Sequence, residues 1–289
     1  FSGFSSLKNS EEAMQGMCNV TTRIFTLLLD LLPDQGYQSP EMSKADKLTL
    51  FLMKLKLGTS FTALGALFGV GESSASETFN DVLDTLSVIL KNFVFVPHRE
   101  AIRDTMPDVI KLHYPNCIFI IDCPEVKTET PPNVEQRDFL YSHHKGAHIL
   151  KFLVAVTPNG MVAFISKLYG GCHGDSYVAT DSGFLPLVKP GDIVLSDGAF
   201  PHMRRRVAER GAAVVMPPFF SGDRLSVEDA GKTYRVARVR MHVEMAIQRL
   251  KAFNILTNQV PISLIPHMSK VIHVCAAIVN LQAPIVTPK

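Results

Sequence analysis

The amino-acid sequence predicts an α/β protein, a mixed β-sheet flanked by helices, preceded by an all-helical region that contains a helix-turn-helix-like segment. Three observations lead there. Residues 11–96 repeat apolar side chains at three-to-four spacing between Gly, Pro and Ser breaks. From residue 115 the pattern changes to short β-rich runs. After three expected antiparallel strands, strands and helices alternate, and that order builds a mixed sheet with helices on its faces. The change of pattern sets the expected domains: residues 1–110 helical, with the helix-turn-helix-like segment over about 45–90, and residues 111–289 forming the α/β domain. At 289 residues the chain can bury a sizeable core, as one large domain or two ordinary ones.

Helices are expected over EEAMQGMCNVTTRIFTLLLDLL, SKADKLTLFLMKLKL, TALGALF and SSASETFNDVLDTLSVIL. The stretch FTALGALFGVGESSASETFNDVL has the helix, glycine-bearing turn, helix layout, with Ser73 or Ser74 as the expected cap of the second helix. A helix that lies against phosphates profits from Lys or Arg. This one carries Glu72, Glu77 and Asp81 and no basic residue between Gly71 and Leu90, so taken alone it reads as an ordinary helical hairpin.

In the second part, CIFIIDCP, HILKFLVAVTPNG and MVAFISKLY read as three adjacent antiparallel strands, the last two joined by a Pro-Asn-Gly turn. A Gly-rich loop with a short helix (YGGCHGDSYVATDSG), a strand (DIVLSDG), a basic helix (PHMRRRVAERG), a strand (AAVVMPP) and a long helix containing RVARVRMHVEMAIQRLKAF follow.

Apolar runs such as VCAAIVNL fall short of the ~18 residues a membrane span needs, so no membrane partner is expected. The opening FSGFSSLKNSEE has neither the basic start nor the apolar core of a secretion signal, and it reads as the start of a fragment. Five scattered cysteines without a CxxC pair argue against a disulfide framework or a structural zinc cage and for a reducing compartment, cytosol or nucleus. Residues 1–110 hold 9 Lys+Arg against 13 Asp+Glu, and residues 111–289 hold 20 against 14. The basic second part is the candidate to meet a polyanion, with a merely solvated surface as the alternative.

Two apolar strands end in acid: Asp122 in IFIIDCPEV and Asp197 in DIVLSDGAF. Open α/β sheets gather functional side chains at strand carboxyl ends. In the last helix Val236, Val239, Val243, Ile247 and Leu250 form an apolar stripe, and Glu244 lies beside it, with Arg240 and Gln248 on its own side. Three carboxylates converging on one edge repel unless a cation neutralises them. Mg²⁺ or Mn²⁺ suits oxygen ligands, and a pair of such ions can drive an in-line phosphoryl displacement.

These residues carry a resemblance. Asp122 in IIDCPEV, Asp197 in VLSDGAF and Glu244 in RVRMHVEMAIQRLK, with YSHHKGAHILKFLVAVTPNG and PLVKPGDIVLSD between them, resemble the DDE superfamily endonucleases of Harbinger/PIF-like transposases over about residues 117–282, with a looser likeness to their helix-turn-helix over 45–90. The resemblance implies an RNase H-like fold and a two-metal nuclease that nicks DNA and transfers strands at transposon ends. Carried over by position, Asp122, Asp197 and Glu244 are the catalytic, metal-binding triad, and Asp175 in GGCHGDSYV is a further metal candidate or a turn-capping Asp. The implied cofactor is a divalent metal, Mg²⁺ or Mn²⁺. The implied partner is DNA at terminal repeats, with self-association into a homo-oligomer left open and the nucleus as location. The chain departs from the family pattern at Gly198, where an Arg is usual, at Met245, and in PPFFSGDRLS, which lacks the usual lysines. Each departure removes a potential phosphate contact, so a domesticated DNA- or protein-binding factor is the alternative.

Other residues have blander readings. His143, His144 and His148 could form a zinc site, but a polar surface or phosphate contact is favoured. Arg204, Arg205, Arg206 and Arg210 splay around their helix, as a solvated face would. His242 is as well explained by packing as by catalysis, and Glu125 reads as a supporting acid or a strand-exit charge.

Overall fold

The structure is a computed structural model that describes residues 1–34, 42–197, 200, 202–216, 241 and 243–285. It divides into two compact units: Phe1–Phe93 with Arg249–Gln282, and Val94–Gln248 with the residues from Ala283. The expected division at residue 110 put residues 249–282 with the sheet, whereas the structure groups them with the first helices. The buried face of that tail packs on the helices of the first unit.

In the first unit α1 (Glu11–Cys18) and α2 (Thr22–Leu31) replace the single long helix expected there. Asn19 turns left-handed (φ 58°) and ends α1, and the Thr21 hydroxyl accepts the N–H of Ile24 to start α2. α3 (Lys44–Leu57) is the core helix, capped by Ser43 and buried continuously from Leu48 to Leu55. α4 (Phe61–Phe68) and α5 (Glu72–Ile89) form the helix-turn-helix layout. Their turn demands a glycine: a Cβ on Gly65 would stand 2.7 Å from the Val70 carbonyl, whose own N–H bonds back to Gly65. The cap of α5 is Gly71, not Ser73 or Ser74, which lie inside the helix. Glu72 instead sits in its first turn and accepts a 2.7 Å bond from the Thr62 hydroxyl.

In the second unit α6 (Arg99–Asp104) and α7 (Asp108–His113) lead into β1 (Cys117–Asp122). The remaining strands are β2 (Glu125–Lys127), β3 (Tyr141–Ser142), β4 (Ala147–Lys151), β5 (Val154–Val156), β6 (Val162–Ile165), β7 (Tyr169–Gly170), β8 (Ile193–Leu195) and β9 (Ala213–Val215). One sheet has the order β6-β5-β1-β8-β9, antiparallel on the β5 side of β1 and parallel on the β8 side. The mixed sheet is thus the expected one, and Gly160 (φ 89°) closes the expected Pro-Asn-Gly hairpin. The run HILKFLVAV is not one strand, however. It breaks at Phe152 and Leu153, so that β4 joins β2, β3 and β7 in a second sheet while β5 stays in the first. α8 (Val134–Leu140), α9 (Asp175–Asp181) and α10 (Met203–Ala208) connect the strands. Residues 243–251 form a further helix, α11, and Met268–Leu281 form α12 in the first unit.

By length and composition the helical stretch Ile262–Leu281 could cross a membrane, which counting VCAAIVNL alone missed. Its apolar side is used inside the helical unit, where Met268, Val271, Ile272 and the run Val274–Val279 are buried. Lys270 pairs with Asp84 at 2.7 Å and Asn280 donates to the Phe93 carbonyl at 2.8 Å, contacts of a core helix in a globular unit.

One buried charge in this unit titrates in an accessible range. Lys54 is 5% exposed, donates to the Thr59 carbonyl at 2.5 Å and lies 4.3 Å over the Phe61 ring, and burial pushes its pKa down to about 8. Below about 8 both folded and unfolded chains hold the proton and the burial penalty is complete. Between about 8 and the unfolded value of about 10.4 only the unfolded chain holds it, so stability rises with pH. Urea denaturation of the parent and Lys54→Met across that window is expected to show the parent gaining on the variant as pH rises; parallel profiles would refute the penalty.

Candidate functional site

β1 and β8 are parallel neighbours with Ile120 opposite Leu195, so two residues further on Asp122 and Asp197 leave the sheet at the same edge. Both ends are held. The Asp122 carboxylate accepts the N–H of Cys123 at 2.8 Å, and the buried Ser196 donates its N–H to the Val215 carbonyl at 3.1 Å. At the other end of β8 the buried Asp192 carboxylate accepts from the Arg99 guanidinium at 2.7 Å and from the Lys189 N–H at 2.8 Å. Strand pairing and this anchor fix the backbone positions from which the two carboxylates leave the sheet.

A second acid layer lies beside them. Lys151, at the end of β4 and 6% exposed, stands directly across from Glu125 on β2. Its ammonium reaches Asp175 Oδ1 at 2.9 Å and Glu125 Oε1 at 3.6 Å, and Glu125 also meets Lys145 at 3.7 Å. Burial works to lower the Lys151 pKa, but the hydrogen bond and charge of Asp175 and the charge of Glu125 outweigh it and raise the pKa. Asp175 opens α9, where its charge also suits the helix amino end. The Cys123 thiol registers the whole group: burial first, then the charges of Asp175, Asp122 and Asp197, hold it far above its ordinary range against the opposing field of Lys151. Asp122, Asp175 and Asp197 therefore share one neighbourhood.

Glu244 is exposed on α11, while Val243, Ala246, Ile247 and Leu250 on the same helix are buried, as the stripe predicts. Gly198, Val236, Val239, Arg240, His242 and the loop PPFFSGDRLS lie outside the described residues. Among the described residues no three His, Cys, Asp or Glu side chains gather at metal-holding spacing. The donor chemistry and the paired strand ends of Asp122 and Asp197 fit a hard dication; a complete three-ligand cage is not formed by the described residues.

His143 and His144 are exposed, in keeping with the polar-surface reading. YSHHKGAH forms a β3–β4 hairpin with a left-handed Gly146 (φ 62°), and the His143 and His148 rings pack on Tyr141. The arginines of α10 behave as a solvated face, with Arg205 89% exposed and bonded to Glu209 at 3.1 Å. Lys151 and the Arg99–Asp192 pair were not foreseen from sequence. A lysine inside the apolar run HILKFLV was the available signal, since a buried charge demands a partner.

A family model described as DDE superfamily endonuclease matches residues 121–280, from the tip of β1 through Asp197 and Glu244. The chain belongs to the DDE superfamily endonucleases. A second model, described as the helix-turn-helix of DDE superfamily endonuclease, matches residues 40–92, which include α3, α4 and α5. No curated protein and no solved structure gives a significant match. With both parts present, the endonuclease-family chain has DNA as its indicated partner, and the plain hairpin reading of α4–α5 gives way to a family helix-turn-helix.

In this superfamily member the strand carrying Asp197 depends on the anchor at its base. Arg99→Ala leaves Asp192 buried without its cation and is expected to lower stability by about 2–4 kcal/mol in urea denaturation. A loss under about 0.5 kcal/mol would show that the pair is not needed to hold β8.

Proposed function

We propose that the chain is a transposase-type DNA endonuclease, Harbinger/PIF-like, that breaks phosphodiester bonds at transposon terminal repeats in the nucleus with Mg²⁺ or Mn²⁺ as cofactor. The observation that carries the reading is the emergence of Asp122 and Asp197 side by side from paired parallel strands. Asp122 and Asp197 supply two carboxylates from paired strand ends, and Glu244, on the helix whose Val243 and Ile247 are buried, supplies the third. When bound there, a pair of divalent ions supplies an activated water and stabilises charge on the leaving oxygen, chemistry that carboxylates alone lack. The buried core behind β1 keeps the donors from relaxing apart, which is what in-line displacement requires of its scaffold. An RNase H-like fold is supported by three antiparallel strands with two parallel strands added on the other side of the first. Self-association of subunits on paired DNA ends belongs to the same reading.

A second reading has its own observation. The face of α5 bearing Glu72, Ser73, Ser76, Glu77 and Asn80 lines a cleft of about 530 Å³ together with His267, and acid on a helix meant for DNA opposes phosphate binding. This favours a domesticated transposase-derived factor that keeps the fold without efficient cleavage.

Two experiments separate them. Purified chain with Mn²⁺ and DNA bearing terminal repeats is expected to nick, and Asp122→Asn, Asp197→Asn and Glu244→Gln are each expected to slow nicking by about 100-fold or more. Manganese binding by the parent with no nicking on any repeat would favour the factor. Glu77→Lys is expected to tighten DNA binding several-fold at low salt and to steepen its salt dependence by about one unit. An unchanged slope would place α5 away from the DNA.

A further inference from the structure

We infer that Lys151 is the resident counter-cation of the acidic edge, a positioning residue that takes Asp175 and Glu125 as partners and leaves metal ligation to Asp122, Asp197 and Glu244. The inference rests on the proposed reading of Asp122 and Asp197 as ligands and sharpens which acids of that edge belong to the ion.

The geometry carries it. One nearly buried ammonium ties three elements together: β4, which bears it; β2, where Glu125 is its cross-strand neighbour; and α9, whose first residue is Asp175. The Asp175 contact, at 2.9 Å with hydrogen-bond geometry, is the tighter of the two. Glu125 follows Asp122 by three residues, and Phe152, next to Lys151, donates its N–H to Pro124 between them. Holding Glu125 and Asp175 therefore also fixes the turn that leaves Asp122. Without Lys151, Asp175 and Glu125 would lose the buried ammonium that joins them, next to a Cys123 thiol that already feels the charges of Asp175, Asp122 and Asp197, and like charges in a partly dry site repel strongly. A lysine that merely braced the fold would lose stability on removal whatever ions were present. A counter-cation has a different signature, because a dication can replace the missing charge.

Thermal unfolding and calorimetry with Mn²⁺ alone, without DNA, distinguish these cases. Lys151→Met in chelator is expected to unfold at lower temperature than the parent, to regain most of that loss when Mn²⁺ is added, and to bind Mn²⁺ about tenfold more tightly, since one positive charge next to the site is gone. Lys151→Arg keeps the charge and is expected to stay within about threefold of the parent's affinity. If Lys151→Met loses stability that Mn²⁺ does not restore and its Mn²⁺ affinity is unchanged, the lysine is only a brace and the inference fails.

Asp175→Asn in the parent background decides the matter even should Lys151→Met not fold. It is expected to leave Mn²⁺ affinity within about threefold, whereas Asp122→Asn is expected to weaken it by about tenfold or more. Equal weakening by both would make Asp175 a ligand and overturn the inference while the ligand reading of Asp122 stands. No weakening by Asp122→Asn would instead overturn that reading.

Discussion

The acidic edge depends on the parallel pairing of β1 with β8. A strand that places carboxylates at one end needs its register held, because a slip of one residue would turn Asp122 to the opposite face. Here the register is held from both sides: β5 pairs antiparallel with Ile120 to Asp122, and β8 pairs parallel with Cys117 to Ile120. The side chains from Cys117 to Ile121 are all essentially inaccessible, and burying each of the large apolar ones is worth about 1.5–3 kcal/mol. The same burial that makes the strand insoluble on its own makes its acidic tip rigid.

A rigid edge of acids is an electrostatic liability, and the chain meets it in two distinct ways. Asp192 is neutralised locally by Arg99 at the far end of β8, so that its buried charge stabilises the strand. At the carboxyl end, Lys151 serves Asp175 and Glu125. The first arrangement is purely architectural; the second lies beside Asp122 and Asp197, the ligands proposed for the metal. The two-sheet layout makes the second possible, because the break after Lys151 lets one run of sequence supply the ammonium to one sheet and the core strand β5 to the other.

Much of this was legible in the sequence. Continuous apolar runs ending in Asp marked β1 and β8, and the Val243, Ile247 and Leu250 stripe marked a helix with a buried side and Glu244 next to it. What escaped was set by contacts distant in sequence. The break in HILKFLVAV leaves no compositional trace, since Phe152 and Leu153 are as apolar as the strands they separate, and only the bonds to Pro124 and Ser166 reveal it. The break between α1 and α2 did have a local signal in Asn19 and Thr21, and apolar periodicity on either side masked it. Grouping of α12 with the first helices was likewise invisible, because an apolar helix reads the same whether it packs on a sheet or on α5.

The acidity of α5 divides into parts with different physical causes. Its cap, Gly71, brings no side chain to the amino end, so Glu72 offsets the helix dipole there and ties α5 to α4 through Thr62. That carboxylate is explained by folding and says little about DNA. Glu77 lies more than a turn further on, beyond the reach of the dipole, and lines the cleft on the same side as Asn80. A folding role of the kind that explains Glu72 does not extend to it, so the balance between a DNA-reading helix and a repurposed one turns on Glu77 and not on the net charge of the helix.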